Sequence, residues 1–264
     1  MRKLIAHCVL LVFLLNMACS NPGGDERPLP DKVRMVLRAP GADTTDAEAG
    51  IDAVPVPEDS INNIQLMWYQ NPKSTDLSYY RIYRSEDELG EKNYDLLVSK
   101  ALRQPGIPDT IFIDAQDLKQ NVRYYYYVTA VDKDGRESEN SDTLSYRLLE
   151  TASNLSLNGN STEITTPEMR FEWWMNSGAT PDLYILRVEA FISEDFHPIR
   201  YVKVINSTYN TPQSYTLSGE YLKELFPNGK YRWRIDCVGV EDVADQYFSG
   251  SESDWYIFTV NWSQ

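Results

Sequence analysis

The chain has 264 residues, 39 acidic against 25 basic side chains for a formal charge of −14, and only three cysteines and two histidines. That length gives one large or two ordinary domains interiors of their own, which excludes a disulfide-dense scaffold. An acidic surface repels phosphates, so nucleic acid is excluded as a partner, and so few scattered histidines and cysteines cannot supply a four-ligand zinc site.

Arg2 and Lys3 open the chain, an apolar stretch runs from Leu4 to Leu15, and Asn16-Met17-Ala18-Cys19 follows. Residues 1–18 read as a removable signal peptide, too short for a permanent membrane helix. The end of this segment resembles a bacterial lipoprotein signal, in which a small residue, here Ala18, precedes a cysteine that becomes lipid-modified and N-terminal. Asn16 stands where such signals usually carry Leu, and an ordinary secretory leader cut near Ala18 or Ser20 is the alternative. The resemblance implies Cys19 as the lipidation site, the membrane as a partner through that lipid, and a place in the cell envelope. Ser20 in place of the Asp linked to inner-membrane retention implies the outer membrane.

Residues 19–32 are full of chain breakers, among them Pro22, Gly23, Gly24, Pro28 and Pro30, and read as a flexible tether. At full stretch it would reach roughly 50 Å. Loss of Arg2 and Lys3 with the leader takes the mature charge to −16.

Beyond the tether, short alternating β-branched and aromatic runs are separated by Gly, Pro, Asn and Asp clusters, the pattern of strands and turns. Expected strands are Val33–Arg38, Asn62–Tyr69, Leu77–Ser85, Tyr94–Lys100, Thr110–Asp114, Val122–Asp132 and Asp142–Leu149. A second series holds Met169–Met175, Leu183–Ile192, Tyr201–Asn206, Ser214–Leu217, Lys230–Val240 and Asp254–Trp262. The spacing fits two β-sandwiches, one over residues 33–149 and one over 150–264.

The two series are copies. Leu118, Tyr124, Val128 and Ala130 recur as Leu225, Tyr231, Ile235 and Cys237, each displaced by 107 residues, and Ile64-x-Leu66-x-Trp68 is echoed by Met169-x-Phe171-x-Trp173. At these residues the chain resembles the fibronectin type III family, most closely in the stretch 109–142, which is similar to the E–F–G portion of bacterial members. The resemblance implies an all-β fold of two consecutive fibronectin type III or immunoglobulin-like sandwiches. It makes Tyr124 and Tyr231 the corner tyrosines that open strand F, and Trp68 and Trp173 the core tryptophans of strand B. The second copy is more divergent, since its strand C lacks the Tyr of Tyr80-x-Ile82.

No catalytic constellation stands out, and neither cofactor nor metal is expected. His197, before Pro198, reads as an exposed loop histidine without a nucleophile beside it. Asp132-Lys133-Asp134-Gly135 lacks the carboxylate spacing of a calcium loop and reads as a hairpin turn. Strand alternation sends Tyr79, Arg81, Tyr83, Tyr125 and Tyr127 to the outer face of the first copy, a candidate binding face whose rings suit sugar or protein partners. In the second copy the same face reads Arg187, Glu189, Arg232, Arg234 and Asp236, a ladder expected to be solvated and self-paired. The expectation is a lipid-anchored, non-catalytic binding or spacer module with a protein or glycan partner. The alternative is a carbohydrate-binding surface lipoprotein that uses the tyrosine face.

Overall fold

The computed structural model describes residues 27–37, 62–71, 76–86, 91–102, 110–175, 181–208, 212–242 and 244–262. The first copy forms β1 (Ile64–Met67), β2 (Leu77–Ser85), β3 (Asp95–Ala101), β4 (Ile111–Asp114), β5 (Arg123–Asp132) and β6 (Leu144–Leu148). The second forms β7 (Ser153–Leu157), β8 (Glu163–Ile164), β9 (Glu168–Trp174), β10 (Leu183–Ala190), β11 (Ile199–Asn206) and β12 (Gln213–Ser218). After the short helix α1 (Leu222–Leu225) come β13 (Gly229–Val238), β14 (Tyr247–Glu252) and β15 (Tyr256–Val260). The fold is all-β, and Cys19 and the leader lie outside the described residues.

Each copy is a two-layer sandwich. In the first, β1 pairs with β4, and the segment around Met35 joins β1 through a bridge to Trp68 flanked by Val36 N–H to Met67 O and Tyr69 N–H to Arg34 O, both 2.9 Å. The facing layer runs β3-β2-β5-β6. Period-two alternation delivers Ile64, Leu66, Tyr80, Ile82, Tyr124, Tyr126, Val128 and Ala130 to the space between them, all fully buried. Burial of such side chains stabilises the sandwich at about 25 cal/mol per Å² of apolar surface. The second copy sets β12-β9-β7 against a layer built on β11-β10-β13, with Phe171, Trp173, Leu186, Trp233, Ile235 and Cys237 between.

The two sandwiches are not strung end to end. Strand β14 pairs in parallel with β6, from Tyr247 opposite Ser145 to Gly250 opposite Leu148. The ladder is extended by Ser145 N–H to Gln246 O at 2.9 Å and Leu149 N–H to Gly250 O at 3.0 Å. One sheet therefore runs β11-β10-β13-β14-β6-β5-β2-β3 through both copies. Along β14 the faces alternate: Phe248 stacks on Tyr146 at 5.6 Å inside the first core, whereas Ser251 stands opposite Cys237, which faces the second. The closing layers of the two sandwiches consequently lie on opposite sides of the shared sheet.

The tether ends earlier than its composition suggests. From Arg27 onward the segment lies against the first sandwich: Arg27 pairs with Asp134 at 2.6 Å, Asn71 Nδ2 donates to Asp31 O at 3.0 Å, and Lys32 pairs with Asp142 at 2.6 Å. Chain breakers forbid helix and ladder but not an extended docked strand, and two prolines preset that conformation.

Candidate functional site

The expected face forms on β2 and β5, where the register sets Tyr83 directly opposite Tyr127 and Arg81 opposite Thr129. The Tyr83 and Tyr127 rings stack at 4.6 Å, and Tyr94 meets Tyr127 edge-on at 4.7 Å. The Arg81 guanidinium lies 5.6 Å from the Tyr79 ring. Glu137, brought in by its bridge to Val131, organises the group. It accepts from Arg81 Nη1 at 2.6 Å, from the Tyr83 hydroxyl at 3.0 Å and from the Thr129 hydroxyl. Burial would push the Glu137 carboxyl up, but these hydrogen bonds outweigh it and hold the group below the usual glutamate range. Burial pushes the Tyr83 and Tyr127 hydroxyls upward.

Tyr79, Arg81, Tyr83 and Tyr127 thus gather around one carboxylate, while Tyr125, opposite Ser85, carries Lys92 over its ring at 3.8 Å. All five residues are partly buried. The face is a self-packed aromatic cluster rather than an open platform, because cross-strand rings satisfy one another before any ligand arrives.

The charge ladder departs from expectation in exposure, not in facing. Arg187, Arg234, Asp236 and Glu252 are 1–3 % exposed and Glu189 6 %. Within it Arg234 binds Asp236 at 2.8 Å and Glu252 at 2.9 Å, Arg232 binds Glu189 at 2.7 Å, and Trp255 lies over both Arg232 and Arg234. Buried ions persist only when paired in this way. Pairing is what the alternation of sign foretold; the burial is not visible in a single strand.

The corner and core residues are positioned as follows. Trp68 is 2 % exposed and meets Tyr80 edge-on at 5.1 Å; Trp173 is fully buried and meets Tyr184 at 5.3 Å. The Tyr124 hydroxyl accepts from Lys119 N–H at 2.8 Å, whereas the Tyr231 hydroxyl donates to Pro227 O at 2.6 Å. Trp174 points outward with 43 % exposure, and Trp262 donates its indole N–H to Phe226 O at 2.8 Å.

Asp132 turns both oxygens into its own turn, accepting from Asp134 N–H, Arg136 N–H and the Arg136 side chain at 2.8–3.0 Å, and Gly135 supplies a φ of +79°. The His197 ring lies on a loop, 2.9 Å from Glu194 O and against Phe191. Cys237 is buried, and burial pushes its thiol up to about 12, so it is no nucleophile at neutral pH.

Three residues escape sequence reasoning. Asp114 is fully buried at the end of β4 and accepts from Arg84 at 2.9 Å and Tyr126 at 2.8 Å. Glu137 follows a turn and carries no pattern of its own. Arg123 is 1 % exposed at the seam of the two copies: Nη1 donates to Ser145 Oγ at 2.7 Å and Phe248 O at 3.0 Å, and the guanidinium lies 3.2 Å from the Tyr247 ring centre. Burial lowers its pKa. The only hint was its place next to a corner tyrosine.

No family model matches the chain, and no curated protein matches it. Among solved structures, domains FN1 to FN3 of chicken CNTN1 match with a TM-score of 0.33 and 11 % identity, over 88 % of this chain and 68 % of that one. The sandwich architecture stands on the strand order and buried faces described above.

Proposed function

We propose that this chain is an exported protein, held to the cell envelope by a lipid on Cys19, whose two sandwiches serve as a non-catalytic spacer and binding module. The observation that carries the spacer reading is the β6–β14 junction. A flexible linker between domains leaves their orientation free, whereas a shared ladder with Phe248 inserted in the other core and Arg123 bonded across the seam holds one geometry. Such a body presents its far end at a set distance and angle from its attachment. The groups most apt for chemistry are otherwise engaged: the Cys237 thiol is buried and the His197 ring bonds its own loop.

The tyrosine cluster is the proposed contact surface, and its geometry favours a protein partner over a sugar. A sugar ring stacks on an open aromatic face, yet the Tyr83 and Tyr127 rings cover each other and Lys92 covers Tyr125. Intact mass of the protein purified from its membrane tests the anchor: acylation at Cys19 is expected, and a free N-terminus there overturns it. Pulldown and glycan-array binding with Tyr79→Ala, Tyr83→Ala and Tyr127→Ala tests the surface. Loss of a protein partner is expected, loss of glycan binding would move the reading to a carbohydrate-binding lipoprotein, and unchanged binding in all three variants removes this face.

A further inference from the structure

The turn Asp132-Lys133-Asp134-Gly135-Arg136 is more than a hairpin connection. The carboxylate of Asp132, 4 % exposed, holds the Arg136 guanidinium at 2.8 Å and aims it at the N-terminal segment. Arg136 Nη1 donates to Arg27 O at 2.7 Å and Nη2 to Pro28 O at 3.4 Å, while Asp134 takes the Arg27 guanidinium. Asn71, from the end of the first layer, fixes Asp31 O. Between the segment and the sandwich lies a cavity of about 270 Å³ walled by Pro28, Leu29, Pro30 and Leu77. Two prolines reduce the conformational freedom this segment loses on docking.

We propose that this turn is the docking site for the chain's own N-terminal segment, and that docking sets the end of the body that faces the membrane. The first half stands on the contacts alone; the second rests on Cys19 carrying the lipid. Only eight residues, 19–26, then remain between the anchor and the docked segment, a span of about 28 Å at most. Strand β14 starts beside Ser145, near the start of β6, and Ser145 stands opposite Tyr125, in the half of β5 remote from the turn at Asp132, so the second sandwich is displaced away from the turn. Strand β13 runs antiparallel to β14, so α1, which precedes β13, lies at the end of the shared sheet away from the turn. The leash therefore holds the turn within about 28 Å of the lipid, whereas nothing ties the far corner to the surface, and repulsion between the acidic second sandwich and anionic headgroups makes that corner the distal one.

Two measurements separate the halves. Spin labels at Leu29→Cys and Glu139→Cys, with the buried Cys237 unreactive, should give one narrow distance distribution in the lipidated full protein, and Arg136→Ala should widen it at least twofold. Asp134→Asn, which keeps Arg136 in place, should widen it less. A distribution already broad in the parent, or unchanged in Arg136→Ala, overturns docking. For orientation, the same protein is placed in phosphatidylethanolamine and phosphatidylglycerol vesicles carrying a headgroup quencher. A fluorophore at Glu139→Cys should be quenched at least threefold more than one at Glu224→Cys, on α1. Equal or reversed quenching overturns the orientation. Failure to float with the vesicles overturns the Cys19 anchor, while the spin-label result still decides docking.

Discussion

Arg123 carries a positive charge into a place where water cannot follow, and its partners explain why it stays. A serine hydroxyl from its own sandwich, a carbonyl from the other and the face of Tyr247 surround the guanidinium. Arg123→Ala should leave Ser145 Oγ and Phe248 O unsatisfied at the seam and cost about 1–3 kcal/mol, read by denaturant titration. Arg123→Met, which keeps the stem, should recover part of the packing but not the hydrogen bonds; if both variants match the parent, the residue is not holding the seam. Glu137 makes a second prediction, with a definite sign. Its carboxyl is held below its ordinary value of 4.5 by hydrogen bonds from Thr129, Tyr83 and Arg81, so the folded state prefers the charged form. That contribution is full above the ordinary value and lost as pH falls below it through the folded value. Glu137→Gln should therefore be less stable than the parent at neutral pH, and the gap should close in acid. A gap that stays constant from neutral pH into acid would show that the carboxylate charge contributes nothing.

Strand β14 shows how an element is made by its neighbours. No strand is expected over residues 247–252, where Tyr247 and Phe248 favour a strand but Ser-Gly-Ser-Glu does not. They become a strand because β6 offers an open edge on one side and β13 on the other. By contrast β2 was legible to its exact ends and β5 to within a residue, because both are dense in aromatic and β-branched side chains. Alternation sets the tyrosine and ladder residues on the outer side of their strands. Their exposure was illegible, since it depends on Glu137 arriving from beyond a turn and on Trp255 arriving from a separate strand connection. Corner tyrosines were legible because their spacing from an upstream leucine is local. Gly239 offers a test at this scale. A Cβ there would sit 2.6 Å from Ser249 Oγ and 3.1 Å from a Leu149 methyl, so the alanine forces the serine to rotate, and a branched side chain must push β14 away from β13. Gly239→Val should lower the melting temperature and speed amide exchange at Leu149, whose N–H is held by Gly250. Unchanged exchange at Leu149 would mean that β14 and β6 are not coupled through this contact.

At the scale of the whole molecule, charge and junction oppose each other. Both halves are acidic within a chain of formal charge −14, and at low ionic strength they repel over a Debye length of about 30 Å. Were the halves joined by a hinge, repulsion would open the molecule at low salt and screening would let it close. A shared sheet resists this: relative rotation would have to break the β6–β14 ladder, extract Phe248 from the first core and strip Arg123 of its cross-seam hydrogen bond. The radius of gyration of the parent should accordingly stay constant within about 5 % between about 10 mM and 1 M salt, the range over which the Debye length shrinks from about 30 to about 3 Å. Gly239→Val combined with Arg123→Ala should instead contract measurably as salt rises. Small-angle scattering across the salt series reads both. A parent that contracts like the double variant would mean that the seam opens in solution and that the two sandwiches are hinged.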